Sequence, residues 1–371
     1  MKYRFDEIAF NSTVKKTPGE SDKTHYIGLE HIDSECLEIT RWGSDVAPIG
    51  DKLIMKKGDI LFGKRRAYQR KLAIAPFDGI FSAHGMVLRP KEEVVDKNYF
   101  PFFMSSDLFM ERAVQISVGG LSPTINWKDL REQEFSLPPL AEQKVLADKL
   151  WAAYRLKESY KKLLAATEDM VKSQFIEMFF KNTWKEKYLE DVVSEDCSLS
   201  YGIVQPGEGV EDGIPVVRPV DLVSDIVEPD YLKKTTLDIA NSYKRTTLKG
   251  GELLLCVRGT TGLLSMASNR LNGGNVTRGI VPIWFKKEIS KAFMFHQMKS
   301  DYVQTQIKEN TYGTTLLQIN IKDLRKIKVI LPPEDLQQKF VTIAEEADKS
   351  VFELRKSIDA IDAVIKSLIN S

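Results

Sequence analysis

The chain has 371 residues, of which 43% are hydrophobic and 28% are charged, a composition typical of a folded protein long enough for two domains. With 53 basic and 52 acidic residues, it has no bulk charge that would by itself attract nucleic acid. No apolar run approaches the ~20 residues of a membrane span, and the N-terminus lacks a signal-peptide pattern, so we expect a cytoplasmic protein.

Residues 1–137 are predicted to form a mixed domain of strands, turns and a short helix. The runs Ile60–Phe62 and Gly85–Leu88 are apolar and bounded by glycine or charge, which is the pattern of strands. An amphipathic pattern over Phe100–Ala113 predicts one helix.

The same order of elements recurs in residues 183–331, which are predicted to form a second domain. Strand patterns cover Ile214–Val217, Leu253–Val257 and Ile280–Phe285. The pattern over Ala292–Ile307 predicts a helix that matches the one in the first domain.

An internal repeat accounts for this similarity. Gly119–Arg131 aligns with Gly313–Arg325, and both contain the pattern Ile-Asn-x-Lys-Asp-Leu-Arg. Leu137–Pro139 aligns with Leu331–Pro333 at the same offset of 194 residues. The later parts of the two copies match closely whereas the earlier parts diverge, which indicates one architecture with two different surfaces.

A long helix is predicted after each domain, in residues 138–182 and 332–371. Paired prolines begin both segments, and proline fits the first turn of a helix because its missing N–H is not needed there. From Phe340 to Leu368 the apolar residues recur at alternating intervals of four and three, which is the period of a coiled coil. The first segment keeps this register, with polar replacements such as Lys157. The predicted seam residues are Leu146, Leu150, Tyr160, Leu164, Val171, Phe340, Val351, Leu354, Ile358, Ile361, Ile365 and Leu368.

Two such helices in one chain can pair with each other. Antiparallel pairing would relate the copies by a pseudo-twofold axis, whereas parallel pairing would leave them side by side. Further apolar residues of the first helix lie off the seam, which indicates docking of another subunit, the alternative being a spacer with no external partner. These residues are Leu163, Met170, Phe175, Ile176, Met178 and Phe179.

Basic or hydroxyl-rich segments with glycine occur at equivalent places in both copies. Arginine and lysine contact phosphates and guanine edges, glutamine reads adenine, and glycine lets the backbone approach a phosphate. One such segment would be an ordinary solvated turn, but their coincidence favours DNA binding. His84 faces Arg278 in the repeat, which suits a variable contact better than a catalytic group, with a plain surface role as the alternative. The candidate DNA contacts are Lys64, Arg65, Arg66, Tyr68, Gln69, Arg70, His84, Gly119, Gly120, Ser122, Arg258, Thr260, Thr261, Arg278, Tyr312, Thr314 and Thr315.

No catalytic motif is complete. Gly58–Arg65 approaches the phosphate-binding pattern GxxxxGK[ST], but arginine replaces the hydroxyl residue that would hold magnesium. Both proline pairs lack the amide or carboxylate before them and the aromatic residue after them that amino-methyltransferases use. Cys36, Cys197 and Cys256 form no CxxC pair, and a zinc site would need clustered ligands, so we expect reduced thiols and no metal. Because no catalytic motif is complete, we also expect no enzyme activity.

The tandem organisation and three repeated signals resemble the specificity (S) subunit of type I restriction–modification systems, over essentially the whole chain. The signals are the turn leading into Ile-Asn-x-Lys-Asp-Leu, the Leu-Pro-Pro blocks with glutamine at 137–143 and 331–338, and the long helix after each. The resemblance implies an α+β fold with two mixed α/β target-recognition domains in tandem, separated and followed by two long antiparallel coiled-coil helices.

The resemblance also implies a function. Each domain would read one half of a bipartite site in double-stranded DNA, and the helices would fix the spacer and dock two methyltransferase (M) subunits. Restriction (R) subunits could join them. S-adenosylmethionine would be bound by the M subunits, so this chain would have no cofactor and no catalytic residue. The alternative is a tandem-repeat scaffold that binds only polypeptides.

Overall fold

A computed structural model describes residues 1–181 and 184–370. The chain divides into two compact units, the first formed by Met1–Leu164 with the chain from Glu353 onward, and the second by Ala165–Phe352. Both divisions fall inside the long helices. The domain boundary predicted between residues 182 and 183 lies outside the described residues.

The first unit is built on two four-stranded sheets, with strand orders β2-β9-β6-β7 and β3-β5-β8-β4. The strands are β1 (Lys2–Arg4), β2 (Ala9–Ser12), β3 (Lys15–Lys16), β4 (Tyr26–Ile27), β5 (Lys52–Met55), β6 (Ile60–Phe62), β7 (Leu72–Ile74), β8 (Gly79–Phe81), β9 (Met86–Pro90) and β10 (Glu134–Ser136). The helices are α1 (Phe5–Ile8), α2 (Phe100–Ser105), α3 (Asp107–Gln115), α4 (Trp127–Leu130) and the first part of α5 (Leu140–Phe179). Aromatic rings fill the core with centroids 5.2–5.9 Å apart, at Phe5, Phe62, Phe103, Phe109 and Phe135.

The second unit contains sheets of order β14-β12-β17 and β13-β16-β15-β18, and the hairpin β19-β20. Its strands are β11 (Glu186–Tyr188), β12 (Ile214–Val217), β13 (Ile226–Val227), β14 (Lys233–Thr235), β15 (Leu253–Cys256), β16 (Leu264–Ala267), β17 (Asn275–Val276), β18 (Ile280–Ile283), β19 (Thr311–Tyr312), β20 (Gln318–Ile319) and β21 (Lys328–Ile330). Its helices are α6 (Leu189–Val192), α7 (Leu237–Asn241), α8 (Lys291–Lys299), α9 (Asp301–Glu309), α10 (Ile321–Arg325) and the first part of α11 (Glu334–Asn370). The last part of α5 also belongs to the second unit, and the last part of α11 belongs to the first.

The repeat seen in the sequence is present in the backbone of both units. In each, the first strand pairs antiparallel with the strand before the long helix, with Lys2 opposite Ser136 and Glu186 opposite Ile330. The strand predicted at Ile60–Phe62 is confirmed as β6. In both copies, therefore, the first and last strands of the domain pair with each other.

The two predictions of a single helix at Phe100–Ala113 and Ala292–Ile307 were wrong, because each segment forms two helices. Ser106 ends α2 and begins α3, where its hydroxyl accepts a hydrogen bond from the Phe109 N–H at 3.1 Å. A serine oxygen that caps an N-terminus satisfies a donor that the new helix would otherwise leave unpaired. Ser300 stands at the matching break between α8 and α9.

The prolines and glutamines of the Leu-Pro-Pro blocks fix where the long helices begin. Helix α5 begins directly after Pro139, whose carbonyl accepts hydrogen bonds from the N–H groups of Glu142 and Gln143. The buried Gln143 amide donates back to the Pro138 carbonyl at 2.8 Å, and Gln337 makes the same bond at the beginning of α11. The Leu-Pro-Pro blocks therefore stabilise the first turns of the two long helices.

The long helices contact each other inside each unit. In the first unit the Lys157 ammonium forms an ion pair with Asp362. In the second, the Phe175 and Phe340 rings lie 5.1 Å apart. As residue numbers rise along α5 they fall along α11, which is the order of an antiparallel pair. The predicted fold class is confirmed, while the pseudo-twofold relation between the copies stays a prediction.

One expectation about α5 needs correction. Phe175 and Phe179 were predicted to lie off the seam for another subunit, but both are buried in the core of the second unit, and Met178 packs against that core. Their rings lie 5.0–5.7 Å from Phe293 and Phe340, so the end of the helix is part of the domain. Of the predicted off-seam residues, those exposed are Leu163, Met170 and Ile176.

Candidate nucleic-acid interface

Two segments of the first unit that the sequence singled out separately lie side by side. They are residues 63–70, which follow β6, and residues 117–125, which contain the glycine-rich turn; we call them the first paired loops. Three backbone contacts join them: the Ile125 N–H donates to the Lys64 carbonyl at 2.9 Å, Arg65 forms an antiparallel bridge with Thr124, and the Arg66 N–H donates to the Pro123 carbonyl at 2.7 Å.

The side chains of the first paired loops are largely available to solvent. Arg65 and Arg66 are exposed, and Tyr68 is 56% exposed. His84 is exposed beside them, and its carbonyl accepts a hydrogen bond from the Arg65 N–H at 3.3 Å. The first paired loops and His84 thus contain the candidate contacts of the first unit. These include the exposed Gly119 and Gly120 and the half-buried Lys64, Gln69 and Ser122.

The backbone of this surface departs from ordinary geometry at three places. Gly119 has a φ of +112°, which favours glycine, and Arg66 and Arg70 adopt the left-handed conformation with φ of +56° and +48°. The two arginines flank the single 3₁₀ turn Ala67–Gln69. This turn directs the chain back toward β7.

Arg70 differs from the other basic residues because carboxylates already neutralise it. Its guanidinium lies 2.7 Å from Asp107 and 3.4 Å from Glu35. Asp107 also lies 3.3 Å from the Lys366 ammonium on α11. The structure therefore gives Arg70 a role in joining the loop to the rest of the unit, which the sequence did not indicate.

The second unit has the same backbone contacts at the equivalent places. We call residues 257–262 and 311–319 the second paired loops. They are joined in three ways: the Ile319 N–H donates to the Val257 carbonyl at 3.0 Å, Arg258 forms an antiparallel bridge with Gln318, and the Gly259 N–H donates to the Leu317 carbonyl at 2.8 Å.

The side chains of the second paired loops are less basic and richer in hydroxyl groups. Thr311 donates a hydrogen bond to the half-buried Thr261 at 3.2 Å, and the Tyr312 hydroxyl donates to Asn320 at 2.5 Å. Arg278 is exposed next to Gly279, whose carbonyl accepts a hydrogen bond from the Val257 N–H. The remaining candidates are the half-buried Arg258 and the exposed Thr260, Thr314 and Thr315.

The predicted helix seam lies at lower solvent exposure than the flanking residues. Leu150 and Phe340 are fully buried, with 0% of their surface exposed. The half-buried seam residues are Leu146, Tyr160, Leu164, Val171, Val351, Leu354, Ile358, Ile361, Ile365 and Leu368. The seam is thus closed most tightly where each helix begins to pack on its own domain.

Within residues 1–181 and 184–370, no group of three or more histidine, cysteine, aspartate or glutamate side chains could hold a metal ion. Cys36, Cys197 and Cys256 are free thiols, and burial raises the pKa of Cys197 and Cys256. None of the described helices has the length and apolarity needed to cross a membrane.

Comparison with known proteins decides the family. The profile of the type I restriction modification DNA specificity domain matches residues 11–168 and 182–361. The chain belongs to this family. The predicted resemblance is therefore confirmed, and so is the prediction that the chain is a non-catalytic specificity subunit.

Individual relatives agree with this membership. The chain is 24% identical to the EcoBI type I restriction enzyme specificity subunit of Escherichia coli over 273 residues, which is 66% of this chain but only 57% of that subunit. It is 21% identical over 343 residues to the MjaVIII type I restriction enzyme specificity subunit of Methanocaldococcus jannaschii, covering 84% of this chain and 75% of that one.

A solved structure shows the same fold. The type I restriction–modification S subunit from M. genitalium matches 100% of this chain and 94% of its own, with a TM-score of 0.60 and 15% sequence identity. The matching backbone with few matching side chains agrees with the pattern inside this chain, where the two units share contacts but not surfaces.

Proposed function

We propose that this chain reads a bipartite site in double-stranded DNA, with the first paired loops on one half-site and the second paired loops on the other. The observation that carries the proposal is the set of three backbone contacts that recurs in both units. Lys64, Arg65 and Arg66 in the first unit are matched by Val257, Arg258 and Gly259 in the second. An unchanged frame with different side chains is what two different half-sites require.

The long helices would hold the units at a fixed spacing and dock two M subunits, with R subunits as further partners. Leu156, Leu163 and Met170 are exposed on α5 at intervals of seven residues, which places them on one helix face. Exposed apolar side chains in such a row favour contact with another protein. S-adenosylmethionine would be bound by the M subunits and not by this chain.

The proposal is tested by selecting targets from a random duplex library with the chain assembled with its M subunits, at a stated salt concentration. We expect two short defined sequences separated by an undefined spacer of constant length. A single contiguous motif would contradict the reading by two units. Equal recovery of all sequences would favour the scaffold that binds only polypeptides.

A further inference from the structure

A cleft of about 430 Å³ opens beside the first paired loops and was not indicated by the sequence. Its walls come from β2 and β3, from Lys64, and from the residues around the beginning of α4. Among the described residues that line it there are two lysines, Lys15 and Lys64, and no carboxylate. The other polar lining residues include Asn11, Thr13 and Asn126.

Lys64 is half-buried, and its ammonium forms no ion pair or hydrogen bond with any residue that the structure describes. Burial lowers the pKa of Lys64, and the nearby Lys15 ammonium lowers it further. Lys15 is exposed, and an anion that lies between the two ammonium groups would reduce their mutual repulsion.

Lys15 and Lys16 are adjacent on β3 but differ in whether they have an acidic partner. Lys16 pairs with Asp22, with 3.0 Å between the ammonium nitrogen and a carboxylate oxygen. Lys15 has no such partner among the described residues and lines the cleft. The two adjacent lysines of β3 therefore differ in whether their charge is already neutralised.

The second unit is built differently at the equivalent place. There the Tyr201 hydroxyl donates a hydrogen bond to the carbonyl of Ile319, which matches the cleft residue Ile125. The paired loops are common to both units, but the two lysines that face the cleft belong to the first unit. A ligand of this cleft would therefore act on one half-site only.

We propose that the cleft binds one phosphate group of the DNA backbone between Lys15 and Lys64. The inference rests on the proposed DNA-reading function and adds a site to it. A backbone phosphate has one negative charge, which both ammonium groups can contact. Because such a contact carries no base information, it positions the first paired loops without changing their preference.

The first test compares Lys15→Gln with Lys16→Gln in the chain assembled with its M subunits. For Lys15→Gln we expect the magnitude of the slope of log affinity against log salt to fall by no more than about 0.9, because Lys64 still contacts the same phosphate, and the affinity to fall roughly 5- to 10-fold near 0.1 M salt, with unchanged base preference. Lys16→Gln should leave both quantities unchanged. Equal slopes and affinities for the two variants would overturn the proposal.

The second test needs no DNA and separates this inference from the proposed function. Lysines of the full chain are labelled with ¹³C-methyl groups, which keep their charge, and the Lys64 signal is assigned with Lys64→Arg. Inorganic phosphate should raise the pKa of Lys64, and less so in Lys15→Gln. If phosphate raises the pKa of Lys64 but the assembled chain binds no duplex, the cleft is an anion site and the proposed DNA reading is contradicted. Sequence-specific binding with no phosphate effect on Lys64 would contradict the cleft alone.

Discussion

Arg65 and Thr124 form an antiparallel backbone bridge that joins the basic loop to the glycine-rich turn of the first unit. Arg258 and Gln318 form the same bridge in the second unit. Because backbone atoms make these bridges, the side chains at the four positions can change without loss of the frame. One architecture can therefore carry two different sets of exposed side chains.

The exposed arginines of the first paired loops should carry the electrostatic part of binding. For Arg65→Gln combined with Arg66→Gln we expect the salt slope to fall by about 2 and the affinity at 0.1 M salt to fall roughly 10- to 100-fold. The loss should concern the first half-site alone. Binding assays with duplexes altered in one half-site at a time measure this effect.

Arg70→Gln provides the matched control, because carboxylates already neutralise Arg70. This variant should keep the salt slope of the unaltered protein. It should lower the melting temperature of the first unit, since Asp107 loses a partly buried partner. If Arg70→Gln reduced the salt slope by about 1, which is half of the change expected for the double variant, the assignment of Arg65 and Arg66 as the DNA-contacting arginines would be contradicted.

The ion pair between Lys157 and Asp362 should fix the register of the helices in the first unit. Only 13% of the Lys157 side chain is exposed, so its ammonium group is less well solvated than one on the surface. Loss of the carboxylate partner should therefore destabilise the fold more than loss of a surface ion pair would. Lys157→Asp and Asp362→Lys should each lower the melting temperature, and the double exchange should restore most of it, with a coupling of about 1 kcal/mol. Additive losses in the double variant would show that the pair has no such role.

Gln143 should stabilise the beginning of α5 through three hydrogen bonds. Its amide oxygen accepts from the Asp96 N–H at 2.8 Å, and its nitrogen donates to the carbonyls of Val94 and Pro138. Gln143→Leu leaves these buried groups unpaired and should destabilise the unit by about 2–4 kcal/mol. Amide hydrogen exchange at Asp96 should become faster, whereas it should not change in the exposed neighbour variant Lys144→Ala.

His296 should make the second unit sensitive to acid. Burial and, to a smaller extent, the charge of Lys299 lower the pKa of His296 to about 4, and its ring packs edge-on against Phe340 with 5.3 Å between the centroids. Because the folded pKa lies below the ordinary value of 6.5, the unfolded chain takes up the proton first. The contribution of neutral, buried His296 to the free energy of unfolding is fully present above pH 6.5. It is lost as the pH falls toward 4, and the loss is on the order of 3 kcal/mol.

Thermal unfolding between pH 7 and pH 4 measures this effect, with His296→Phe as the comparison. The variant keeps an aromatic ring against Phe340 but cannot take up a proton. Its melting temperature should fall less over this range than that of the unaltered chain. Parallel pH profiles for the two proteins would show that other groups cause the acid sensitivity.

Much of the fold could be predicted from the sequence because the repeat compares the chain with itself. The strand at Ile60–Phe62 and the long helices have local patterns that need no tertiary information. The burial of Phe175 and Phe179 could not be predicted in this way, because a helical period does not say which domain covers each face. The break at Ser106 had a visible signal, a serine followed by Asp107, which is a common beginning of a helix.

The sequence points to only some of the residues on the candidate interface, which stays a prediction. Arg65 and Arg66 stand out in the sequence as a basic run. Lys15 does not, because its significance comes from Lys64, which reaches the same cleft from a distant part of the chain. Arg70 belongs to the run by sequence but is turned to Asp107, which only the tertiary structure shows.

We propose that the long helices set the spacing between the two half-sites that the chain reads. Inserting seven residues after Ala166 in α5 and seven after Ser350 in α11 preserves the seam and lengthens each helix by about 10 Å. Target selection with this variant should recover the same two half-sites with a spacer about three base pairs longer, at 3.4 Å per step. Recovery of the original spacer would contradict the claim, even with DNA binding intact.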